Sequence, residues 1–161
     1  MQLVSGDLLS VETGIIAHGV NCCGVMGSGV AKQIRAKYPA VFDRYQEFVK
    51  QLGISALGNI NGLSVSPTLR VFNCYTQINY GSLPVISRYG CHLDYAALEN
   101  SLWLLAQFTV QYNHEVYIPK IGCGLAGGDW KRVEEILKKI EKYHSGSEKN
   151  FEFVVMVPLN S

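Results

Sequence analysis

Two glycine-rich segments have the residue types and spacing of an anion-binding loop. In the first, an apolar run at residues 15–17 leads into Gly24, Gly27 and Gly29, and apolar residues then recur at helical spacing from Val30. Glycine lets backbone N–H groups come close to a ligand, and a helix N-terminus supplies unpaired N–H groups and the positive end of the helix dipole. This order of strand, glycines and helix predicts a cradle for phosphate or diphosphate.

A second segment of the same kind lies near the other end of the chain. The apolar run Val116–Ile118 is followed by a glycine-rich stretch and then by Asp129, which is placed as the N-cap of a helix. The glycines are Gly122, Gly124, Gly127 and Gly128. Two strand–loop–helix units in a small α/β chain bring both loops to one edge of the sheet, where such proteins bind ligands. The sequence therefore predicts one long cleft lined by backbone.

The glycine spacing excludes two common nucleotide-binding loops. It does not match G-x-G-x-x-G, and no Gly-Lys-Ser/Thr follows, so neither a Rossmann fingerprint nor a Walker loop is present. A glycine-rich turn after a strand also has a structural interpretation as a tight turn, and the first segment alone does not decide between the two. The second segment favours the ligand-binding interpretation.

Three side chains near these loops are of types suited to hydrolysis. His18 and Asn21 come at the end of the first loop's strand, and Asp129 precedes the last helix. Two of them also have a structural interpretation, because a histidine beside an apolar run is commonly a core residue and an aspartate before a helix is commonly its cap. The five cysteines contain no C-x-x-C pair, so we expect neither a metal site nor a cofactor.

Composition limits the class of protein. A chain of 161 residues with 48% hydrophobic and 17% charged residues indicates a single domain, residues 1–161, with a substantial core. The net charge of +1 argues against general duplex nucleic-acid binding, and Lys32, Arg35 and Lys37 form either a small basic patch or a solvated helix face. No signal peptide or transmembrane run is visible, which predicts a cytoplasmic, reducing setting and no membrane partner.

Periodicity places the other elements. Strands are predicted at residues 2–4, 57–66, 69–75 and 151–157, and helices begin at Val30, Pro39, Asp94 and Asp129. A polar loop covers residues 79–93, in which Tyr80 or Tyr89 is either a lid over a ligand or plain surface, and a polar connection covers 145–150. The alternation of strands and helices predicts an α/β fold with a mixed sheet.

Three segments together resemble the macrodomain family, whose members bind ADP-ribose. They are VSGDLL near the N-terminus, GVNCCGVMGSGVAKQI, and IPKIGCGLAGGDW, in the family's order and across nearly the whole chain. Within the family, the chain is similar to small members related to ADP-ribose 1''-phosphate phosphatases, DNA ADP-ribosyl hydrolases and terminal ADP-ribose–protein hydrolases. The resemblance implies a three-layer α/β/α macrodomain sandwich with a mixed central sheet.

The resemblance also implies where the ligand lies. Asp7 matches an aspartate that accepts a hydrogen bond from the adenine amino group, the backbone of residues 27–30 and 124–127 would hold the diphosphate, and Asn21 would contact the terminal ribose. The implied catalytic candidates are His18, Asn21 and Asp129. The implied ligand contacts are Asp7, Leu8, Asn21, Gly24, Val25, Met26, Gly27, Ser28, Gly29, Val30, Gln77, Gly122, Cys123, Gly124, Leu125, Ala126 and Gly127.

Gln77 departs from part of the family. In the DNA ADP-ribosyl and terminal ADP-ribose–protein hydrolases a catalytic lysine lies close to this position, whereas a glutamine neither forms a Schiff base nor acts as a base. The resemblance therefore favours removal of the phosphate from ADP-ribose 1''-phosphate. A mono-ADP-ribosyl or O-acyl-ADP-ribose hydrolase and a non-catalytic ADP-ribose reader or sequestering protein are the alternatives. We expect a monomer whose partner is ADP-ribose or one of its derivatives.

Overall fold

A six-stranded sheet lies at the centre of the computed structural model, which describes residues 1–146 and 150–160. The strands are β1 (Gln2–Ser5), β2 (Gly14–Val20), β3 (Ile60–Ser64), β4 (Leu69–Tyr75), β5 (Val116–Ile118) and β6 (Phe153–Val157). The helices are α1 (Gly29–Lys37), α2 (Pro39–Leu52), α3 (Tyr95–Tyr112) and α4 (Trp130–His144), with short 3-10 turns at Leu8–Ser10 and Gly53–Ala56. Within the described ranges, no helix is long and apolar enough to cross a membrane.

The strand order places β2 between β5 and β4. The full order is β1-β6-β5-β2-β4-β3, and every neighbouring pair is parallel except β3 with β4. The predicted mixed sheet is therefore confirmed, with its antiparallel strand at the edge. Because parallel strands run in one direction, the carboxyl ends of β2, β4 and β5 meet at one edge of the sheet.

Helices cover both faces of the sheet. On β2, Ile15 and Ala17 belong to a core cluster with residues of α3 and α4, whereas Ile16 between them packs in a cluster with Ile34 of α1 and Val41 of α2. Successive side chains of a strand point to opposite faces, so a strand that is apolar at every position needs a helix layer on each side. The three-layer α/β/α sandwich is confirmed.

Two predicted strands were too long at their N-terminal ends. The strand predicted over 57–66 is Ile60–Ser64, because the chain leaves a 3-10 turn at Ala56 and then passes Gly58, whose φ of +83° is incompatible with a strand. The strand predicted from residue 151 begins at Phe153. Residues 147–149 of the predicted polar connection lie outside the described residues.

The helix caps predicted at Asp94 and Asp129 are confirmed. Asp94 Oδ1 accepts a hydrogen bond from the N–H of Ala97 at 2.9 Å, and Asp129 Oδ1 accepts one from the N–H of Lys131 at 3.0 Å. Each bond satisfies an N–H group of a first helical turn that has no partner within the helix. The caps fix where α3 and α4 begin relative to the loops before them.

Candidate functional site

A cavity of about 710 Å³ opens at the edge of the sheet where β2, β4 and β5 end. Its walls are the segment after β2, the segment after β5 and the segment after β4. The volume lies in the range of small-molecule sites, and the position is the one at which parallel α/β sheets bind ligands. The two glycine-rich loops predicted from the sequence therefore line one cavity.

The structure brings most of the predicted contacts together there. The lining includes His18, Asn21, residues 25–30, Gln77, Gly122 and residues 124–126. The predicted contacts that lie outside the lining are Asp7, Leu8, Gly24, Cys123 and Gly127, and the catalytic candidate Asp129 also lies outside it. Asp7 and Leu8 follow β1, whereas Gly24, Cys123, Gly127 and Asp129 lie in or directly after the two glycine loops.

The first loop ends at a helix terminus without a side-chain cap. Ser28 is the N-cap of α1 and makes no side-chain hydrogen bond to the helix, unlike the aspartates that cap α3 and α4. The first bond back to the cap runs from the N–H of Lys32 to the carbonyl of Ser28 at 3.2 Å, so the helix offers no acceptor to the N–H groups of residues 29–31. Residues 28–31 line the cavity, which presents these donors and the positive end of the helix dipole to it.

The second loop is packed tightly against Leu93. A Cβ at Gly122 would lie 2.6 Å from Leu93 Cδ1, and one at Gly128 would come closer still, so both positions need glycine. The backbone adds two bonds, from Leu93 N–H to the carbonyl of Ala126 at 3.1 Å and from Gly128 N–H to the carbonyl of Gly122 at 2.9 Å. These contacts join the loop after β5 to the end of the 79–93 segment.

Asn21 holds the shape of the first loop. Its Oδ1 accepts from the N–H of Cys23 at 2.9 Å and from the hydroxyl of Tyr45 at 2.5 Å, and its Nδ2 donates to the carbonyl of Val25 at 2.9 Å. The Tyr45 hydroxyl also accepts from the N–H of Val25 at 3.0 Å. One amide hydrogen of Asn21 remains for a ligand, so the side chain is able to hold the loop and donate into the cavity at once.

His18 lies at the floor of the cavity with its ring buried. The residue is 1% exposed, and its Nε2 is 2.7 Å from Asn73 Oδ1. Burial lowers the pKa of His18 to about 4, so the ring is neutral at physiological pH. Its Nδ1 is buried and has no hydrogen-bond partner in the described part of the chain. His18 is thus hydrogen-bonded within the core through Nε2, whereas Nδ1 offers a ring nitrogen that no described residue uses.

Three predicted site residues are observed in structural roles. Asp7 Oδ1 accepts from the N–H of Leu9 at 2.9 Å and caps the first 3-10 turn, and Asp129 caps α4. Gln77 lines the cavity and donates from Nε2 to the carbonyl of Asn79 at 2.8 Å. Their predicted roles toward a ligand stay predictions.

Two polar side chains that line the cavity, Thr76 and Lys120, were not predicted from the sequence. Thr76 is fully buried, and its hydroxyl has no hydrogen-bond partner among the described residues. Lys120 lies at the entrance, with Nζ 5.6 Å from the centre of the Trp130 ring. The lysine in PKIGCG is a usable signal in the sequence, because a cation beside a glycine-rich loop favours the binding of an anion. Of the two tyrosines weighed as a lid, Tyr80 lines the cavity and Tyr89 instead packs edge-on against Tyr95.

In residues 1–146 and 150–160, no group of three or more His, Cys, Asp or Glu side chains is arranged to hold a metal ion. The five cysteines are free thiols, and burial raises the pKa values of Cys22 and Cys74 to about 12, which keeps both protonated. The polar groups that line the cavity include backbone N–H donors, a neutral histidine, amide side chains, the Thr76 hydroxyl and the Lys120 ammonium group.

Comparison with known proteins identifies relatives along most of the chain. The sequence model of the Macro domain family matches residues 17–137. The chain is 31% identical over 135 residues to a DNA ADP-ribosyl glycohydrolase of Mycobacterium bovis, but it spans only 36% of that protein's length. It is 27% identical over 150 residues to an ADP-ribose 1''-phosphate phosphatase of Lodderomyces elongisporus, with 88% of this chain and 92% of the phosphatase covered.

Solved structures agree with this assignment. A protein from Bacteroides thetaiotaomicron superposes with a TM-score of 0.83 at 25% identity, covering 99% of both chains. The macrodomain of Mycobacterium tuberculosis DarG superposes with a TM-score of 0.76 at 26% identity, covering 98% of this chain and 97% of that one. The likeness extends over the whole sandwich and includes the sheet edge at which the cavity opens.

Proposed function

Because the chain belongs to the Macro domain family, we propose that it binds ADP-ribose and hydrolyses a substituent from the terminal ribose, namely the phosphate of ADP-ribose 1''-phosphate. The observation that carries this proposal is the single cavity bounded by two glycine loops and by the N-terminus of α1. Family relatives named for hydrolysis of ADP-ribose derivatives support the general reaction class.

The diphosphate would lie on the backbone of residues 27–30 and 124–127. The N–H groups at the start of α1 have no acceptor within the helix, and a diphosphate oxygen is a strong acceptor. Lys120 adds a positive charge at the entrance of the same cavity. In this orientation Asn21 uses its remaining amide hydrogen on the terminal ribose, and Asp7 lies toward the adenine.

Hydrolysis needs an oriented water molecule and donors for the charge that develops on the phosphate. Water attacks the phosphorus, the bond from phosphorus to the ribose oxygen breaks, and the products are ADP-ribose and inorganic phosphate. The backbone N–H groups near Gly27 and Gly124 would supply the donors. His18 Nδ1 or the carboxylate of Asp129 would orient the water, and His18 is the better placed because it lines the cavity.

Gln77 favours the phosphatase over a lysine-dependent ADP-ribosyl hydrolase. This chain has a glutamine where those hydrolases have their catalytic lysine. An O-acyl-ADP-ribose hydrolase would use the same cavity on another ribose substituent. A non-catalytic reader would bind ADP-ribose and release nothing.

A phosphorus NMR time course with ADP-ribose 1''-phosphate tests the activity. We expect the resonance of inorganic phosphate to grow, and to grow more slowly with Asn21→Ala. Shifted diphosphate resonances without release of phosphate would overturn the phosphatase and leave the rival hydrolases or a reader.

Calorimetric titration with ADP-ribose tests the binding site. Gly29 has a φ of +57° and open space at its Cβ position, and so does Gly53 with a φ of +55° at the end of α2. Gly29→Glu should abolish binding because its carboxylate enters the cradle, whereas Gly53→Glu imposes a comparable backbone strain away from the cavity. Equal affinities for the two variants would contradict the placement of the diphosphate.

A further inference from the structure

A row of polar side chains crosses three neighbouring strands beneath the cavity. His18 of β2 is in register with Asn73 of β4, and Asn73 is in register with Asn61 of β3. His18 Nε2 is 2.7 Å from Asn73 Oδ1, and Asn73 Nδ2 is 3.1 Å from Asn61 Oδ1. His18 and Asn73 are almost completely buried, at 1% and 0% exposure. The row leads from the floor of the cavity to the antiparallel edge of the sheet.

The far end of the row fixes the direction of every hydrogen bond in it. Asn61 Nδ2 is 3.3 Å from the backbone carbonyl of Arg44, and a carbonyl oxygen only accepts. Asn61 must therefore turn its NH₂ group to Arg44 and its Oδ1 to Asn73. In this orientation the hydroxyl of Tyr75 donates to the same Oδ1 at 3.0 Å.

The same argument continues to the histidine. With Asn61 Oδ1 facing it, Asn73 must turn its NH₂ group toward Asn61 and its Oδ1 toward His18. An amide oxygen accepts, so His18 Nε2 carries the hydrogen and Nδ1 carries the lone pair. Burial keeps the ring neutral, since the pKa of His18 lies near 4. The tautomer of the histidine is thus set by a carbonyl on the opposite side of the row.

The hydrogen bonds of this row leave the lone pair on His18 Nδ1 unused. It is buried, lies on a residue that lines the cavity, and has no partner in the part of the chain that the structure describes. A buried acceptor without a donor costs folding free energy, and native proteins keep very few of them. A donor supplied by a ligand would remove that penalty.

We propose that Asn73 and Asn61 are positioning residues that hold His18 as the Nε2–H tautomer, so that Nδ1 accepts one hydrogen bond at the terminal ribose. In the complex with ADP-ribose the donor is a hydroxyl of that ribose, and in the complex with the phosphorylated substrate it is the attacking water. The identity of the ligand as ADP-ribose rests on the proposed function. The tautomer does not, because it follows from the hydrogen bonds of the protein alone. The two parts therefore have separate tests.

Nitrogen-15 NMR of the histidine side chains tests the tautomer. We expect His18 to show protonated Nε2 and unprotonated Nδ1 at neutral pH. Asn73→Leu removes the acceptor opposite Nε2 and should give a mixture of the two neutral tautomers. Asn100→Leu removes an amide that bonds to the carbonyl of Gly58 instead and serves as the matched control. A protonated Nδ1 in the unmodified protein would overturn the proposal without any variant.

Addition of ADP-ribose tests the acceptor role. We expect the Nδ1 resonance of His18 to move toward the value of a hydrogen-bonded nitrogen, together with shifts of the backbone amides of residues 27–30. Amide shifts without a change at Nδ1 would overturn the acceptor role while leaving ADP-ribose binding intact. The absence of any shift at saturating ADP-ribose would instead overturn the proposed ligand, and the acceptor role with it, while the tautomer is decided by the preceding measurement.

Kinetics separate positioning from folding. If ADP-ribose 1''-phosphate is the substrate, Asn73→Leu should lower kcat by about tenfold or more, with a much smaller change in KM. A loss shared equally by Asn73→Leu and Asn100→Leu would indicate general destabilisation and would overturn the positioning role.

Discussion

His18 and Asn73 face each other directly across the β2–β4 pair, 2.7 Å apart and out of contact with solvent. The pair has one donor and one acceptor, so it is satisfied only while His18 is protonated on Nε2, and burial keeps the ring neutral. This relationship joins the stability of the central sheet to the protonation state of a residue at the floor of the candidate site.

Acidification should destabilise the protein through His18. Its pKa is about 4 in the folded state against an ordinary value of 6.5, so between these values the unfolded chain binds more protons than the folded one. The titration of His18 leaves the free energy of unfolding unchanged above pH 6.5 and lowers it by roughly 3 kcal/mol in all as the pH falls toward 4. Urea denaturation across this range should show a flatter pH dependence for His18→Gln than for His114→Gln. Equal slopes for the two variants would contradict the assignment.

A carboxylate placed in the second loop should block ligand binding. Gly124 lines the cavity, a Cβ there meets no atom within 4 Å, and its φ is not in the positive range, so Gly124→Glu should fold normally. Repulsion of the diphosphate should weaken ADP-ribose binding by more than about tenfold in Kd. Gly146→Glu is the control, because its surroundings are equally open and it lies outside the cavity lining. Calorimetric titration of both variants decides; a normal Kd for Gly124→Glu would rule out this loop as the cradle.

Removal of the charge on Lys120 should weaken binding in a salt-dependent way. Lys120→Met keeps much of the side-chain volume and removes the cation at the cavity entrance. We expect about a threefold to tenfold increase in the Kd for ADP-ribose at low ionic strength, which shrinks as salt is added because exposed charges are screened. Lys142→Met, in the last turn of α4, should change neither value. An effect of Lys120→Met that is independent of salt would point to lost packing on Trp130 instead.

The hydroxyl of Tyr45 should matter for both folding and binding. Tyr45→Phe removes one of the two donors to Asn21 Oδ1 and the acceptor of the Val25 N–H, which should lower the free energy of unfolding by about 1 to 3 kcal/mol. Because the same bonds shape the first loop, the affinity for ADP-ribose should fall too. In the control Tyr117→Phe, which loses only an exposed bond to Glu115, the unfolding free energy should stay within about 0.5 kcal/mol of the original. Urea denaturation and calorimetric titration provide the two readouts.

Local signals in the sequence were sufficient for most elements and for the position of the cavity. The caps at Asp94 and Asp129 depend on neighbours in the chain, and both are where the pattern predicts them. The row of His18, Asn73 and Asn61 was not predictable in this way, because it depends on the register of strands that are far apart in the sequence.

The start of β3 was missed for a related reason. Nothing in the apolar pattern around residue 57 shows that the chain is still leaving a 3-10 turn there, and the positive φ of Gly58 is a property of the folded backbone. Lys120 and Thr76 are part of the site only because the ends of β5 and β4 meet at one edge of the sheet.

The fit of Leu93 against Gly122 and Gly128 has a consequence for protein engineering. A loop transplanted from a relative into positions 122–128 will be accepted only if it keeps both glycines, since a Cβ at either position collides with Leu93 and one at position 128 also meets the backbone oxygen of Gly122. Libraries that aim to change what this cavity accepts should therefore hold Leu93 and the two glycines constant and vary the residues between them.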